Sequence, residues 1–202
     1  KLPVLVVATG VMLSVLMHAY VTGIMGDTIE MNARFSTGHV KVMSQAYAEN
    51  INQMPNDLAL YETNDLADNL ENEFPQMNWS QRIKFGGLVD APDETGETLE
   101  QGPAIGMGID LLSDESREAE RLKLAESLVR GEMPSEPGEV LLSEEFSQKL
   151  KVRPGDEVTF IGSTMNGSMS MYNFTVAGTV KFGSAALDRG TLVADIRDVR
   201  KA

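Results

Sequence analysis

KLPVLVVATGVMLSVLMHAYVTGIMG fills residues 1–26, and the fold of the chain turns on how that stretch is read. After Lys1 it holds no Asp, Glu, Lys or Arg until Asp27, and Val, Leu, Met, Ala and Ile dominate it. Wound as an α-helix, about 24 such residues at roughly 1.5 Å each extend on the order of 36 Å. That is enough for a hydrocarbon core of about 30 Å. A secretory signal has a shorter apolar core of roughly 7–15 residues and a small-residue cleavage site. Here the run is longer, and no Ala-x-Ala precedes Asp27. A core helix of a soluble domain seldom runs this far without a charge. The stretch is therefore expected to cross a membrane, with the rest of the chain held at one face.

Its less apolar residues are ordered. Gly10, Ser14, His18, Thr22 and Gly26 recur at every fourth position, so they line one slowly drifting stripe of a helix. In lipid, small and hydroxyl side chains at that spacing allow close helix–helix approach and hydrogen bonds across the contact. The stripe predicts a helix packed against other helices. His18 raises a proton-relay reading, since ionisable residues within a membrane are functional candidates. The simpler reading is a neutral histidine hydrogen-bonded within the packed face.

The chain has 17 Lys+Arg against 30 Asp+Glu, a net charge of −13. Lys1 alone precedes Asp27, so residues 27–202 carry 16 basic and 30 acidic side chains, a net −14. A surface that acidic repels nucleic acid and anionic lipid, which excludes a nucleic-acid-binding role. Lys1 before the span, with Asp27 and Glu30 after it, points to a cytoplasmic N-terminus. With no initiator Met, residues upstream are expected to be missing. There is no cysteine, hence no disulfide scaffold, thiol chemistry or cysteine-ligated metal. The sequons at Asn78, Asn166 and Asn173 matter only in a eukaryotic secretory setting, and we read them as chance.

Beyond the span no breaker interrupts Asp27 to Arg34, so the helix is expected to continue as a stalk to about Phe35 and to stop at Ser36-Thr37-Gly38. His39 to Met43 alternates like a strand. Residues 44–63 read as a loop, and Asp65 to Phe74 as a helix capped by Asn64 and stopped by Pro75. Trp79 to Val89 reads as a strand with a bulge or bend at Gly86-Gly87, 90–102 as a hairpin-like exposed connection, and Ala104 to Ile109 as a strand. Ser113 to Leu128 reads as helical. Val140 to Leu142 is expected to be a strand, and Ser143 to Leu150 a helix capped by Ser143. Arg153 to Asp156 reads as a turn, Glu157 to Ile161 as a strand, and 162–170 as a polar loop. Tyr172 to Val180 and Thr191 to Ala194 read as strands before a helix opened by Asp195. Strands and helices mix without a βαβ rhythm, which is the α+β class.

No catalytic constellation emerges. The two histidines are His18 in the span and His39, so neither a histidine triad nor a multi-histidine metal site assembles. Glu144 and Glu145 suit the start of a helix better than an acid–base pair. Asp93-Glu94 and Asp114-Glu115 read as solvated surface, ahead of weak Ca²⁺ binding. Met165, Met169 and Met171 lack the histidine or cysteine that a soft-metal site needs. The expectation is a protein that is not an enzyme and carries no cofactor or metal.

One order of motifs carries a resemblance. The apolar helix runs into Arg34-Phe35-Ser36-Thr37-Gly38-His39-Val40. Then come Gly108-Ile109-Asp110, Leu128-Val129-Arg130-Gly131 and Gly138-Glu139-Val140-Leu141-Leu142. Phe146-Ser147-Gln148-Lys149-Leu150-Lys151-Val152-Arg153-Pro154-Gly155-Asp156-Glu157-Val158 leads to Phe174-Thr175-Val176-Ala177-Gly178-Thr179-Val180. Leu187-Asp188 and Val193-Ala194-Asp195-Ile196 close the series. In this order, covering almost the whole chain, they resemble the first transmembrane helix and periplasmic core domain of MacB/FtsX/LolC-type ABC transporter permeases.

The resemblance implies residues 1–36 as transmembrane helix and stalk, and 37–202 as a MacB-like domain in the periplasm of a bacterial inner membrane. That domain would have a porter-like α+β part and a mainly β part near 105–180. It implies a separate cytoplasmic ATPase, a second permease subunit, and transmission of ATP-driven motion to the domain. Lipoprotein release is the first substrate expectation, with a lipoprotein or periplasmic chaperone as partner. Helices two to four and the ATPase are not in the chain, which would then be a fragment. The stiff helix joined to His39 through Ser36, Thr37 and Gly38 makes those three residues the expected coupling point. A membrane-anchored extracytoplasmic sensor of a signalling protein is the alternative, and an anchored binding module a third.

Overall fold

An apolar stretch without breakers forms helix wherever its backbone bonds must close locally. In the computed structural model, which describes residues 2–53, 55–93 and 95–202, α1 runs Leu2–Asn32 and widens into a π-turn at Ala33–Thr37. Gly38 ends it at φ +61° and ψ −164°, a backbone conformation open essentially to glycine alone. Lys1 and Glu94, which entered the orientation and acidic-pair expectations, lie outside the described residues, as does Met54 in the expected loop. The chain divides into two units, Lys1–Val42 and Met43–Ala202. Within the first, His39 to Val42 forms no strand, against expectation. The alternation is present, but no strand pairs with it, and Val40 and Val42 stay exposed.

The second unit opens with short helices: α2 (Gln45–Glu49), two 3₁₀ turns, and α3 (Thr63–Glu73). The expected loop over 44–63 is thus partly helical, because the Ser44 hydroxyl caps α2 through the Tyr47 N–H at 3.0 Å. Asn64 does not cap α3. The helix starts two residues earlier, at Thr63, and the Asn64 side chain accepts instead from Gln81 Nε2.

Seven strands follow: β1 (Ile83–Pro92), β2 (Thr98–Ile109), β3 (Leu128–Gly131), β4 (Glu139–Ser143), β5 (Glu157–Ser163), β6 (Met169–Val180) and β7 (Thr191–Asp195). Pairing runs β3-β6-β4-β7-β2-β1-β5, and β5 returns to β6, so six strands close a barrel with β3 added on β6. Closure depends on the length of β6. Its first half, Met169 to Thr175, pairs antiparallel with β5. Its second half pairs parallel with β4 on one edge and antiparallel with β3 on the other. β2 and β7 form the other parallel pair. The barrel reaches from Ile83 to Asp195, wider than the 105–180 expected, because β1 and β7 are both needed to close it.

A six-stranded barrel leaves room inside only for side chains. Val89, Val140, Leu142, Phe160, Phe174, Val176 and Leu192 fill it. Helix α5 (Glu144–Leu150) adds Phe146 and Leu150, both fully buried in the same core. The expected connection over 90–102 is a tight hairpin. The Asp93 carboxylate accepts from Thr95 N–H, Thr95 Oγ1 and Glu97 N–H, shaping the turn. Gly86-Gly87 holds register with Ile105 and Ala104, and the irregularity falls at Ala91/Pro92.

Of the helix expected over 113–128, only α4 (Glu118–Arg121) forms. Tertiary ties override local propensity there: Leu111 and Leu112 N–H bond to Asp195, Glu118 is drawn to Arg82, and Lys123 takes φ +53°. Two short helices, α6 (Ala185–Asp188) and α7 (Ile196–Lys201), complete the chain.

Candidate functional site

Helix α1 is long and apolar enough to cross a membrane, and every side chain from Leu2 to Gly26 is exposed. Its hydroxyls turn inward on their own backbone. Ser14 Oγ donates to Gly10 C=O at 2.9 Å, Thr9 to Leu5 C=O, and Thr28 to Ile24 C=O. Polar groups satisfied within the segment are what lipid requires. The stripe Gly10, Ser14, His18, Thr22 and Gly26 lies along this exposed helix. A Cβ at Gly10 or Gly26 would meet nothing within 4 Å among the described residues, so there is open space at both ends of the stripe. Each four-residue step turns about 40° past a full circle, so the stripe winds as it climbs.

At the end of α1, Arg34 pairs with Glu30 and Phe35 is buried, while Ser36 and Thr37 are exposed. The Thr37 hydroxyl donates to Gly38 C=O at 3.0 Å. Ser36, Thr37 and Gly38 thus sit where helical winding stops. His39 follows on a bend, not on a strand.

In the second unit the motif residues are engaged in structural ties. Arg130 on β3 donates from Nε to Glu144 Oε2 at 2.9 Å and from its guanidinium to Ser147 Oγ, binding the added strand to α5. Burial alone pushes the Glu144 carboxyl up; hydrogen bonds from Thr179, Gln148 and Arg130 outweigh it and hold the group below the usual carboxylate range. A carboxylate so held is poorly suited to donate a proton at neutral pH. Ser143 holds the N-cap position of α5 as expected, but its hydroxyl makes no capping bond and accepts instead from Thr191 N–H at 3.3 Å.

Asp195, 1% exposed, caps α7 through Arg197 N–H and accepts from Leu111 N–H, Leu112 N–H and Arg197 Nε. Asp198, equally buried, accepts from Gly138 N–H at 2.7 Å. Glu118 is gripped by Arg82 and Arg121. The sequence marks Asp195 as a helix opener, but not its bonds from Leu111 and Leu112, nor those that tie Asp198 to Gly138 and Glu118 to Arg82, because these partners lie tens of residues away.

Among the described residues no three His, Cys, Asp or Glu side chains converge as a metal site. Met165, Met169 and Met171 sit exposed along the tip of the β5–β6 hairpin. A concave surface between β2, α5 and α6 is lined by Pro103, Ile105, Glu145, Lys149 and Arg189 and holds no histidine. No protein-family model matches the chain, and no curated protein matches it either.

Proposed function

We propose that the chain is the first membrane span and periplasmic domain of an ABC transporter permease subunit in a bacterial inner membrane, and that it passes ATP-driven motion to the domain. ATP hydrolysis belongs to a separate cytoplasmic subunit, and a second permease subunit packs against the stripe on α1. The barrel would serve as the mainly β part of that domain. Lipoprotein release, with a lipoprotein or periplasmic chaperone as partner, is the substrate reading.

One observation carries the proposal: α1 continues without a break past its apolar window. At 31 residues it is about 47 Å long, against a hydrocarbon core of about 30 Å. Roughly a third of the helix therefore projects beyond lipid as a rod, which an anchor alone does not need. A rod loses little displacement to bending, whereas a flexible linker of the same length would lose most of it. The order of motifs supports the same reading.

The test is made in the complete permease with its ATPase. Replacing Ser36-Thr37-Gly38 with a long Gly/Ser linker is expected to leave ATP turnover in place while substrate release falls about tenfold or more. Release at the parent rate would overturn the coupling role. Failure of any ATPase to co-purify with the full-length protein would favour the anchored sensor.

A further inference from the structure

The forty residues from Val42 to Gln81 contain no Lys, Arg or His, yet they hold seven carboxylates, five of them on or just before α3. Among the described residues none of the seven takes part in an ion pair. Helix α3 is also poorly covered. Leu66, Leu70 and Phe74 lie along one side at four-residue spacing, but the helix has no buried residue, and Phe74 is 39% exposed. Met77, in the turn that follows, is 41% exposed. Trp79 stacks obliquely on Phe74 at 6.4 Å, and its indole N–H is buried without an acceptor.

The C-terminal end of α3 departs twice from what local stability asks. A helix C-terminus carries negative partial charge and favours Lys or Arg, yet its last turn has no basic residue and carries Glu71 and Glu73. An apolar edge at that same end is left open. Two departures at one end of one helix mark a place where local rules yield to a binding role.

We infer that the end of α3 and the turn after it dock a cationic amphipathic helix of a partner polypeptide. The apolar side of that helix rests on Leu70, Phe74 and Met77, and its Lys or Arg residues meet Glu71 and Glu73. Charge selects this occupant over the others. Anionic lipid and a second acidic copy are both repelled by the seven carboxylates. Strand addition needs an open strand edge, and no strand lies among the described residues of 43–82. The inference stands apart from the permease reading, since it concerns this chain alone.

Trp79 is the one tryptophan in the chain, so its emission reports on the docking face. The full chain in nanodiscs of zwitterionic lipid is titrated with three synthetic peptides: an amphipathic Leu/Lys helix, a scrambled peptide of the same composition, and a Leu/Glu helix. The amphipathic Leu/Lys helix is expected to shift Trp79 emission to shorter wavelength saturably, and the other two are not. Phe74→Ser and Glu71→Lys/Glu73→Lys should each weaken binding about tenfold or more. Should Phe74→Ser disturb α3, the charge reversal still decides, because Lys at the negative end of a helix keeps or raises helicity. Equal binding of the scrambled peptide, or unchanged binding by the charge-reversed variant, overturns the proposal. So does an emission shift that tracks protein concentration without peptide, which would assign the face to a second copy.

Discussion

Asp195 is a single side chain on which three parts of the second unit depend: the end of β2, the start of α7, and Arg197 beside it. Burial pushes its carboxyl up, and the bonds from Arg197 and Leu111 outweigh burial, so in the folded state it titrates below the usual carboxylate range. Glu144 behaves likewise. A group whose folded pKa is depressed stabilises the fold fully above its unfolded pKa, about 3.9 for Asp and 4.3 for Glu. That contribution is lost as pH falls through the lower folded value. Denaturant unfolding should therefore show stability falling below about pH 4. Asp195→Asn, which keeps an acceptor but removes the charge, is expected to cost roughly 1.5–3 kcal/mol at pH 7 and to lose less on acidification. Parallel acid profiles for parent and variant would show that the Asp195 charge contributes nothing.

At the scale of elements, the β1–β2 hairpin joins the barrel core through rings laid over glycines. Phe85 pairs across the ladder with Gly106, and its ring lies where a Cβ at Gly106 would come within 1.9 Å. Phe160 on β5 likewise occupies the space over Gly87, and the two rings meet edge to face with centroids 5.0 Å apart. A glycine in a strand pattern signals a bulge, a bend or a close approach, and the local pattern at Gly86-Gly87 points to a bulge or bend. At Gly87 the Ile161 carbonyl and the Phe160 ring, both on β5, show that close approach is the reason. Gly106→Ala should cost about 1–3 kcal/mol by overpacking. Adding Phe85→Leu should recover part of that loss in thermal or denaturant unfolding. A Gly106→Ala variant as stable as the parent would mean the Phe85 ring has room to move.

For the whole molecule, the dominant fact is a net charge of −13 on 202 residues. Self-repulsion of that size destabilises the compact state, and the unpaired carboxylates around α3 add to it locally. Salt shortens the screening length from about 10 Å at 0.1 M to about 3 Å at 1 M. Raising NaCl across that range should lift the melting temperature of the second unit by a few degrees, about 1 kcal/mol of stabilisation. A melting temperature indifferent to salt would mean that the ion pairs of the barrel, weakened by the same screening, offset the relief.

Local patterns of residues specify α1, α5, α7 and most of the strands. Length and absence of charge marked the span, Phe146 and Leu150 marked the buried side of α5, and Asp195 marked the start of α7. Alternation located β6, and short apolar stretches between turns located β4, β5 and β7, to within a few residues. Helices were legible because their bonds close between residues four apart, so a local stretch contains both partners. The tertiary structure alone decided which strands exist as strands and how they close. His39 to Met43 had the pattern and no partner, whereas β1 and β7 became barrel walls because β2 lay between them. The buried ties of Asp195, Asp198 and Glu118 were illegible for the same reason. A strand, or a buried carboxylate, is satisfied by groups far away in sequence, and only folding brings them within hydrogen-bonding distance.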